Sequence, residues 1–406
     1  LPPGQEDLFP GLHYRPGIYA DVNPRWSHDG KRIAFLRTTT DRHLQLYVAD
    51  EDLERPLAQL EKELLCPDRP YDSDLRRYAS PDTLTWSPND REIAFERIEW
   101  FTFEDGQRLP GTGIWSLNTY SGRVTPLALH PAHYLNLLYY YHTPQWSPDG
   151  RYLAFVGEGI NGQRTIFVRP IAAMPARKVV PRFDTYEDSD WPVWRPGATR
   201  RTMGLRQPVL AFRQGIRHPL AGSDTETLRR LMPGAATGAS DELWRIRNRD
   251  YARSLFPHTP DISVTPRAAH LTWSPDGQRL AYTLTPDANA YDRYEIWVTN
   301  ADGSRPHRIS ARNGRGYLAP VWLDASHIGA LSPRNRRYDV LMIDLVSGTT
   351  VRLGTIPSAD CDWSPDRTRI VYSLPQGSQQ AGNTPTSLRL FATGIGRRHY
   401  ESTARR

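Results

Sequence analysis

The sequence predicts an all-β fold, a seven-bladed β-propeller of four-stranded antiparallel blades. Three observations carry this. First, a ten-residue phrase recurs: WSHDGKRIAF from Trp26, WSPNDREIAF from Trp86, WSPDGRYLAF from Trp146, WSPDGQRLAY from Trp273 and WSPDRTRIVY from Trp363. Degenerate copies start at Trp194 and Trp322, which makes seven starts. Second, every start is followed by a further strand-like stretch, such as LQLYVAD (Leu44–Asp50), YEIWVTNADG (Tyr294–Gly303) or YDVLMIDLVSG (Tyr338–Gly348). Third, the chain is 38% hydrophobic with 35 Pro and 29 Gly, which suits many half-exposed strands joined by frequent turns.

Each element of the unit has a physical reason. In WSPDGRYLAF, Pro148 sets φ for a tight turn, Asp149 bonds nearby backbone, and Gly150 takes positive φ. The following residues alternate, with Leu153 and Phe155 on one side and Tyr152 and Ala154 on the other. A small residue recurs at one place, at Ala34, Ala94, Ala154, Ala211, Ala281 and Ala330, so that neighbouring sheets approach closely. The repeated Trp supplies the apolar area that joins one sheet to the next.

A unit is thus strand, tight turn, strand, longer loop, strand, tight turn and strand. One such meander cannot bury both faces, and radial stacking into a propeller also protects its edges. Blades are expected to start near residues 22, 82, 142, 190, 269, 318 and 359, in one domain over 22–406. The mean of about 58 residues per unit exceeds the ~40–45 usual for such blades, so insertions are expected. Residues 1–21 form an N-terminal extension whose Leu8–Tyr14 stretch is expected to cross the ring seam between blades one and seven.

WSPDGxxLAF followed by an IWVTNADGS-like strand and turn resembles the TolB-type propeller repeat, over Val22 to Glu401. That repeat also occurs in propeller domains of prolyl oligopeptidase relatives and in some sugar lyases. The resemblance implies fold far more than function. TolB itself carries a separate N-terminal domain and six blades. This sequence departs on both points, so a propeller-only relative is expected and TolB's partners are not carried over.

Net charge is +6, and Lys31, Lys62 and Lys178 are the three lysines among 51 basic residues. The positive balance is compatible with an anionic glycan, while no groove-reading helix or aromatic-basic module points to nucleic acid. Cys66 and Cys361 form neither a disulfide framework nor a metal cluster. They fall on neighbouring blades at different radial depths, which disfavours pairing. No run of apolar residues is long enough for a membrane helix. The start LPPGQEDLFPG, without Met, fits a removed signal peptide or anchor as well as trimming. A periplasmic or extracellular location is the expectation, with membrane contact through such an anchor or a partner.

The long insertions all fall on the face opposite the short turns: Glu61–Asp82, Glu96–Thr112, Ala128–Thr143, Pro181–Asp190, Gln214–Ser240 and Pro257–Ala268. That elaborated face is the functional candidate. Ile98–Gly111 reads as an extended hairpin carrying Trp100, Phe101 and Phe103, residue types that make protein or sugar contacts or cover a neighbouring blade. Tyr139, Tyr140, Tyr141 and His142 run into the inner strand of blade three, where some should face the channel and others pack. Arg213 and Arg217 belong to an arginine-rich stretch without acids that offers an anionic-partner patch or a solvated basic face. DTYEDSD (Asp184–Asp190) and YDSD (Tyr71–Asp74) lack the spacing of a calcium loop.

No G-x-S-x-G occurs, which argues against a serine hydrolase in this chain. Propeller-type uronate lyases, among the relatives of the repeat, use a histidine cluster on a metal. Here there are 12 His but no HxH, HExxH or CxxC. His130, His133, His142, His258 and His270 are the residues that would have to converge. The sequence therefore favours a noncatalytic protein-binding propeller, an accessory subunit with no cofactor and no catalytic residues. The alternative is a polysaccharide-active or glycan-binding protein that uses the channel mouth.

Overall fold

The computed structural model describes residues 20–38, 44–53, 56–61, 84–102, 108–128, 140–158, 164–171, 188–202, 205–215, 268–284, 294–301, 304–311, 315–374 and 388–395. Its strands fall into six sheets. The first holds β1 (Ala20–Trp26), β2 (Arg32–Thr38), β3 (Leu44–Asp50) and β4 (Pro56–Glu61), paired in chain order. Next come β5 (Leu84–Trp86), β6 (Glu92–Thr102), β7 (Arg108–Asn118) and β8 (Val124–Ala128). These share a sheet with β9 (Tyr140–Trp146), β10 (Tyr152–Glu158) and β11 (Arg164–Pro170). A long pair follows, β12 (Asp188–Thr202) with β13 (Leu205–Gly215). Then come β14 (Ala268–Trp273), β15 (Arg279–Leu284), β16 (Glu295–Asn300) and β17 (His307–Arg308). The next sheet is β18 (Leu318–Trp322), β19 (His327–Arg334), β20 (Arg337–Asp344) and β21 (Thr350–Ile356). The last is β22 (Cys361–Trp363), β23 (Arg369–Ser373) and β24 (Leu388–Ala392).

The expected seven separate four-stranded blades are not what the described residues form. Separate four-stranded sheets are β1–β4, β14–β17 and β18–β21, while β12–β13 has two strands and β22–β24 three. The seven-stranded sheet has a local cause. Thr112 and Tyr140 bridge β7 and β9 in parallel, and the Thr112 hydroxyl donates to the Tyr141 carbonyl at 2.8 Å. That bridge fuses two units that the sequence separates. The expected N-terminal crossing by Leu8–Tyr14 lies outside the described residues, as does Cys66. Cys361 carries a free thiol.

The turns form as their residues dictate. Ser27 Oγ donates to Asp29 Oδ1 at 2.6 Å and accepts from the Arg32 amide at 3.0 Å. Ser147, Ser274 and Ser364 repeat both bonds with Asp149 and Tyr152, Asp276 and Arg279, and Asp366 and Arg369. Four of the inner strands also bulge, and each bulge holds a non-glycine residue at positive φ: Asn23, Thr143, His270 and Ala319.

The core lies between successive sheets. Leu36, Leu46 and Val48 of the first sheet pack on Leu84, Trp86 and Phe95 of the second. The expected small positions Ala34, Ala94, Ala154, Ala281 and Ala330 are fully buried. Four of the seven tryptophans also tie their strand to the preceding unit by a hydrogen bond, while the buried indole N–H groups of Trp26 and Trp146 make none. The indole N–H of Trp86 donates to the Arg25 carbonyl at 3.0 Å, Trp194 to Gln145 at 2.9 Å, Trp273 to Val193 at 3.2 Å and Trp322 to Thr272 at 3.1 Å. Each acceptor is the residue just before the preceding unit's tryptophan. An arginine then covers the next tryptophan, Arg32 over Trp86 at 4.8 Å and Arg279 over Trp322 at 5.0 Å.

The same step closes the ring. Arg369 of the last sheet lies over Trp26 of the first at 4.9 Å. Arg369 also pairs with Glu51 at 3.1 Å and Asp52 at 3.3 Å. Trp26, Ile33 and Phe35 share a core cluster with Val371 and Leu388. The first and last sheets, over 300 residues apart in sequence, are therefore neighbours. A ring of antiparallel sheets stacked face to face and closed on itself is a β-propeller.

Candidate functional site

The inner strands other than β12 end at their tryptophans, so the tight turns gather around one mouth of the ring. There a cavity of about 550 Å³ opens. Trp86, Trp146, Trp194 and Trp273 form its aromatic wall. Pro88, Pro148 and Pro196, each two residues past its tryptophan, form the rim. The polar lining is Thr85, Gln145, Thr272 and His28. The main-chain carbonyls of Gln145 and Thr272 already accept the indoles of Trp194 and Trp322.

His28 is the one titratable side chain in that lining, and it is held in place. Asp90 sits at positive φ and reaches back into the first turn. Its Oδ1 lies 2.8 Å from both the His28 amide and His28 Nδ1, and its Oδ2 accepts the Asp29 amide at 2.9 Å. The Arg32 guanidinium donates to the Asp90 carbonyl. One carboxylate thus locks two successive turns and fixes the imidazole at the rim. A mouth built this way presents aromatic faces, proline rings and a few amide and hydroxyl groups. It can hold an extended chain or a ring-shaped group.

A second polar group lies at the seam. The Asn23 amide donates to Asp360 Oδ2 at 2.8 Å, and Ser373 Oγ donates to the same oxygen at 2.5 Å. The Trp26 amide donates to Asp362 Oδ2 at 2.8 Å. Burial pushes both carboxyls above their ordinary range, against these hydrogen bonds and the Arg25 charge. Burial also raises the Cys361 thiol between them, with the two carboxylates adding to the effect, and lowers the Arg367 guanidinium. A raised thiol is a poor nucleophile, so Cys361 is placed as a packing residue.

The residues expected to bind are scattered by comparison. Trp100 and Phe101 lie in β6, opposite Pro110 and Leu109, so the expected extended hairpin is present. Phe103, Tyr139 and Arg217 lie outside the described residues. Tyr140 opens β9 at the bridge to Thr112, and Arg213 pairs with Asp190 in the β12–β13 ladder. Tyr141 packs rather than faces a ligand: it is 4% exposed, with its ring 5.1 Å from Phe155 and 5.8 Å from Phe167. His142 is partly buried opposite Val156. Burial holds the His270 pKa down to about 4, and its Nδ1 lies 3.2 Å from the Thr283 hydroxyl. His130, His133 and His258 lie outside the described residues. Among the described residues no group of three or more His, Cys, Asp or Glu is arranged to hold a metal ion.

The turn-face mouth was missed by reading the sequence for insertions. Its signal was nevertheless present, as a Trp and a Pro at fixed spacing in unit after unit.

No protein-family model and no curated protein matches the chain. Solved structures do resemble it. A TolB-type protein from Agrobacterium tumefaciens is 16% identical, over 87% of this chain and 88% of that one, with a TM-score of 0.39. An oligogalacturonate lyase in complex with manganese is 12% identical, over 91% and 73%, with a TM-score of 0.39. The β-propeller domain of the Trilobed protease from Pyrococcus furiosus is 12% identical, over 88% and 90%, with a TM-score of 0.43. Such distant likeness leaves activity open. The closed stack of sheets, described above from its own contacts, defines the chain as an all-β propeller.

Proposed function

We propose that this protein is a noncatalytic binding propeller of seven units, exported or envelope-associated, that serves as an accessory subunit by holding a protein partner. The observation that carries the reading is the turn-face mouth. Its lining is aromatic and proline-rich, and its one titratable side chain is engaged by Asp90. Such a lining suits recognition of a polypeptide. The seven-unit count is supported by the seven tryptophan starts and by the indole-to-carbonyl step that repeats between units. Export accords with the resemblance of the repeat to TolB. Among the described residues no helix is long and apolar enough to cross a membrane.

Cross-linking mass spectrometry on native extract tests the partner. With three lysines in the chain, carboxylate-reactive chemistry is required. Reproducible links from the β6–β7 hairpin or the turn-face rim to one other protein are expected. Self-links alone would remove the support for a protein partner and turn attention to glycans at the channel.

A further inference from the structure

The β19–β20 hairpin of the fifth sheet carries a second, unrelated feature. Asp339 in β20 is buried at 1% exposure and is surrounded by guanidinium groups. Arg352 Nε lies 2.9 Å from its Oδ1, Arg334 Nη1 3.5 Å from its Oδ2 and Arg315 Nη1 4.0 Å from the same oxygen. The Thr355 hydroxyl adds a bond to Oδ1 at 3.1 Å, and Arg352 also donates to that hydroxyl. The three arginine side chains are 54%, 50% and 55% exposed, so one buried carboxylate anchors three guanidiniums that face solvent.

The hairpin tip adds two more. Asn335 and Arg336 form a two-residue turn with φ of 47° and 63°, and Arg336 and Arg337 are exposed. Glycine is the favoured residue at the Arg336 position, and an arginine held there keeps a cation at the tip at a conformational cost. The positive field extends to the last sheet. Burial raises the Tyr372 phenol, and the Arg389 and Arg337 charges oppose that rise.

We propose that Arg315, Arg334 and Arg352, gathered around Asp339, together with Arg336 at the hairpin tip form a docking surface for an extended acidic segment of the protein partner. Guanidinium forks match carboxylates two oxygens at a time, and a row of them steers and registers an acidic chain. A polypeptide is favoured over an acidic sugar polymer because β21, which carries Arg352, is the outer strand of its sheet. Its far side pairs with no strand among the described residues, and Thr350 and Arg352 are exposed. An extended peptide can use that main-chain edge and the guanidiniums together, whereas a sugar can use the charges alone. The inference rests on the protein-binding reading above and names the chemistry of the partner.

The test is fluorescence anisotropy of the full chain with a labelled peptide of alternating glutamate and valine, against the same peptide with glutamine. The glutamate peptide is expected to bind and the glutamine peptide to bind at least about ten-fold more weakly. The combined substitution Arg315→Gln, Arg334→Gln and Arg336→Gln leaves Arg352 to hold Asp339 and is expected to weaken binding at least about ten-fold. Asp339→Asn releases the guanidiniums and is expected to tighten binding, an effect opposite to that of general damage to the fold. Failure of the glutamate peptide to bind, an unchanged triple variant, or displacement of the peptide by alginate at lower concentration would each overturn the proposal. Persistence of partner cross-links in the triple variant would remove this surface and keep the function. Absence of partner links in the wild type would remove the function whatever the peptide does.

Discussion

Trp322→Ala should be among the most damaging single substitutions in the described part of the ring, at about 3–5 kcal/mol. Trp322 is 1% exposed and packs with Ala281, Val298 and Ile328 across the interface of the fourth and fifth sheets. Its indole N–H also satisfies the Thr272 carbonyl at 3.1 Å. Truncation removes the apolar contact, leaves a cavity between two sheets and strands that carbonyl. Arg279→Ala, which removes the cation over the same ring and its bond to the Ala325 carbonyl, should cost about 1 kcal/mol. Urea unfolding measures both. The Trp322 midpoint should fall far below that of Arg279→Ala with the slope unchanged. Equal midpoints would mean that the tryptophan step does not join the sheets.

The second large effect is on pH dependence at the seam. Burial raises the Asp360 and Asp362 carboxyls above the ordinary value of 3.8. For an acid raised in this way the folded state binds protons more tightly than the unfolded state. Its contribution to stability is full below 3.8 and is lost as pH rises from there through the folded pKa. The variant carrying Asp360→Asn and Asp362→Asn keeps an acceptor for the Asn23 and Trp26 amides but cannot ionise. The variant should therefore gain on the wild type as pH rises, with the gap widening above the ordinary carboxylate range and then levelling. Taking the difference between the two proteins removes the opposing contribution of Asp29, Asp149, Asp276 and Asp366. Burial acts to raise these carboxyls, but their serine and backbone hydrogen bonds and nearby cations together lower them, so their stabilisation is lost as pH falls. Thermal melts across pH give the curve. A gap that is flat or that narrows as pH rises would show that the seam carboxylates are not desolvated.

The fold was legible because its determinants are local. Ser27, Asp29 and Gly30 close their turn with one another, and that turn repeats wherever the residues repeat. The tryptophans and small residues were legible for the same reason, because one spacing serves every interface. The arginine over the next tryptophan carried a signal as well, since Arg32, Arg279 and Arg369 each stand six residues past their own tryptophan. Sheet division was not legible. Whether β7 and β9 meet depends on one bridge between Thr112 and Tyr140, which no local pattern announces. The role of Tyr141 turned on Phe155 and Phe167, which reach it from two later strands. The Asp339 cluster was hidden for the related reason that Arg315, Arg334 and Arg352 come from separate segments and meet only in the folded sheet.

The turn-face mouth depends on the ring being closed, since it exists only between sheets held in a circle. Hydrogen exchange at the Asn23 and Trp26 amides tests that claim directly. Their acceptors, Asp360 and Asp362, lie 337 and 336 residues away along the chain. A closed propeller predicts protection of both amides comparable to that of the central strands β19 and β20, and its loss when Asp360 and Asp362 are both replaced by alanine. Exchange of both amides in the wild type as fast as in an unstructured peptide would contradict the closed ring.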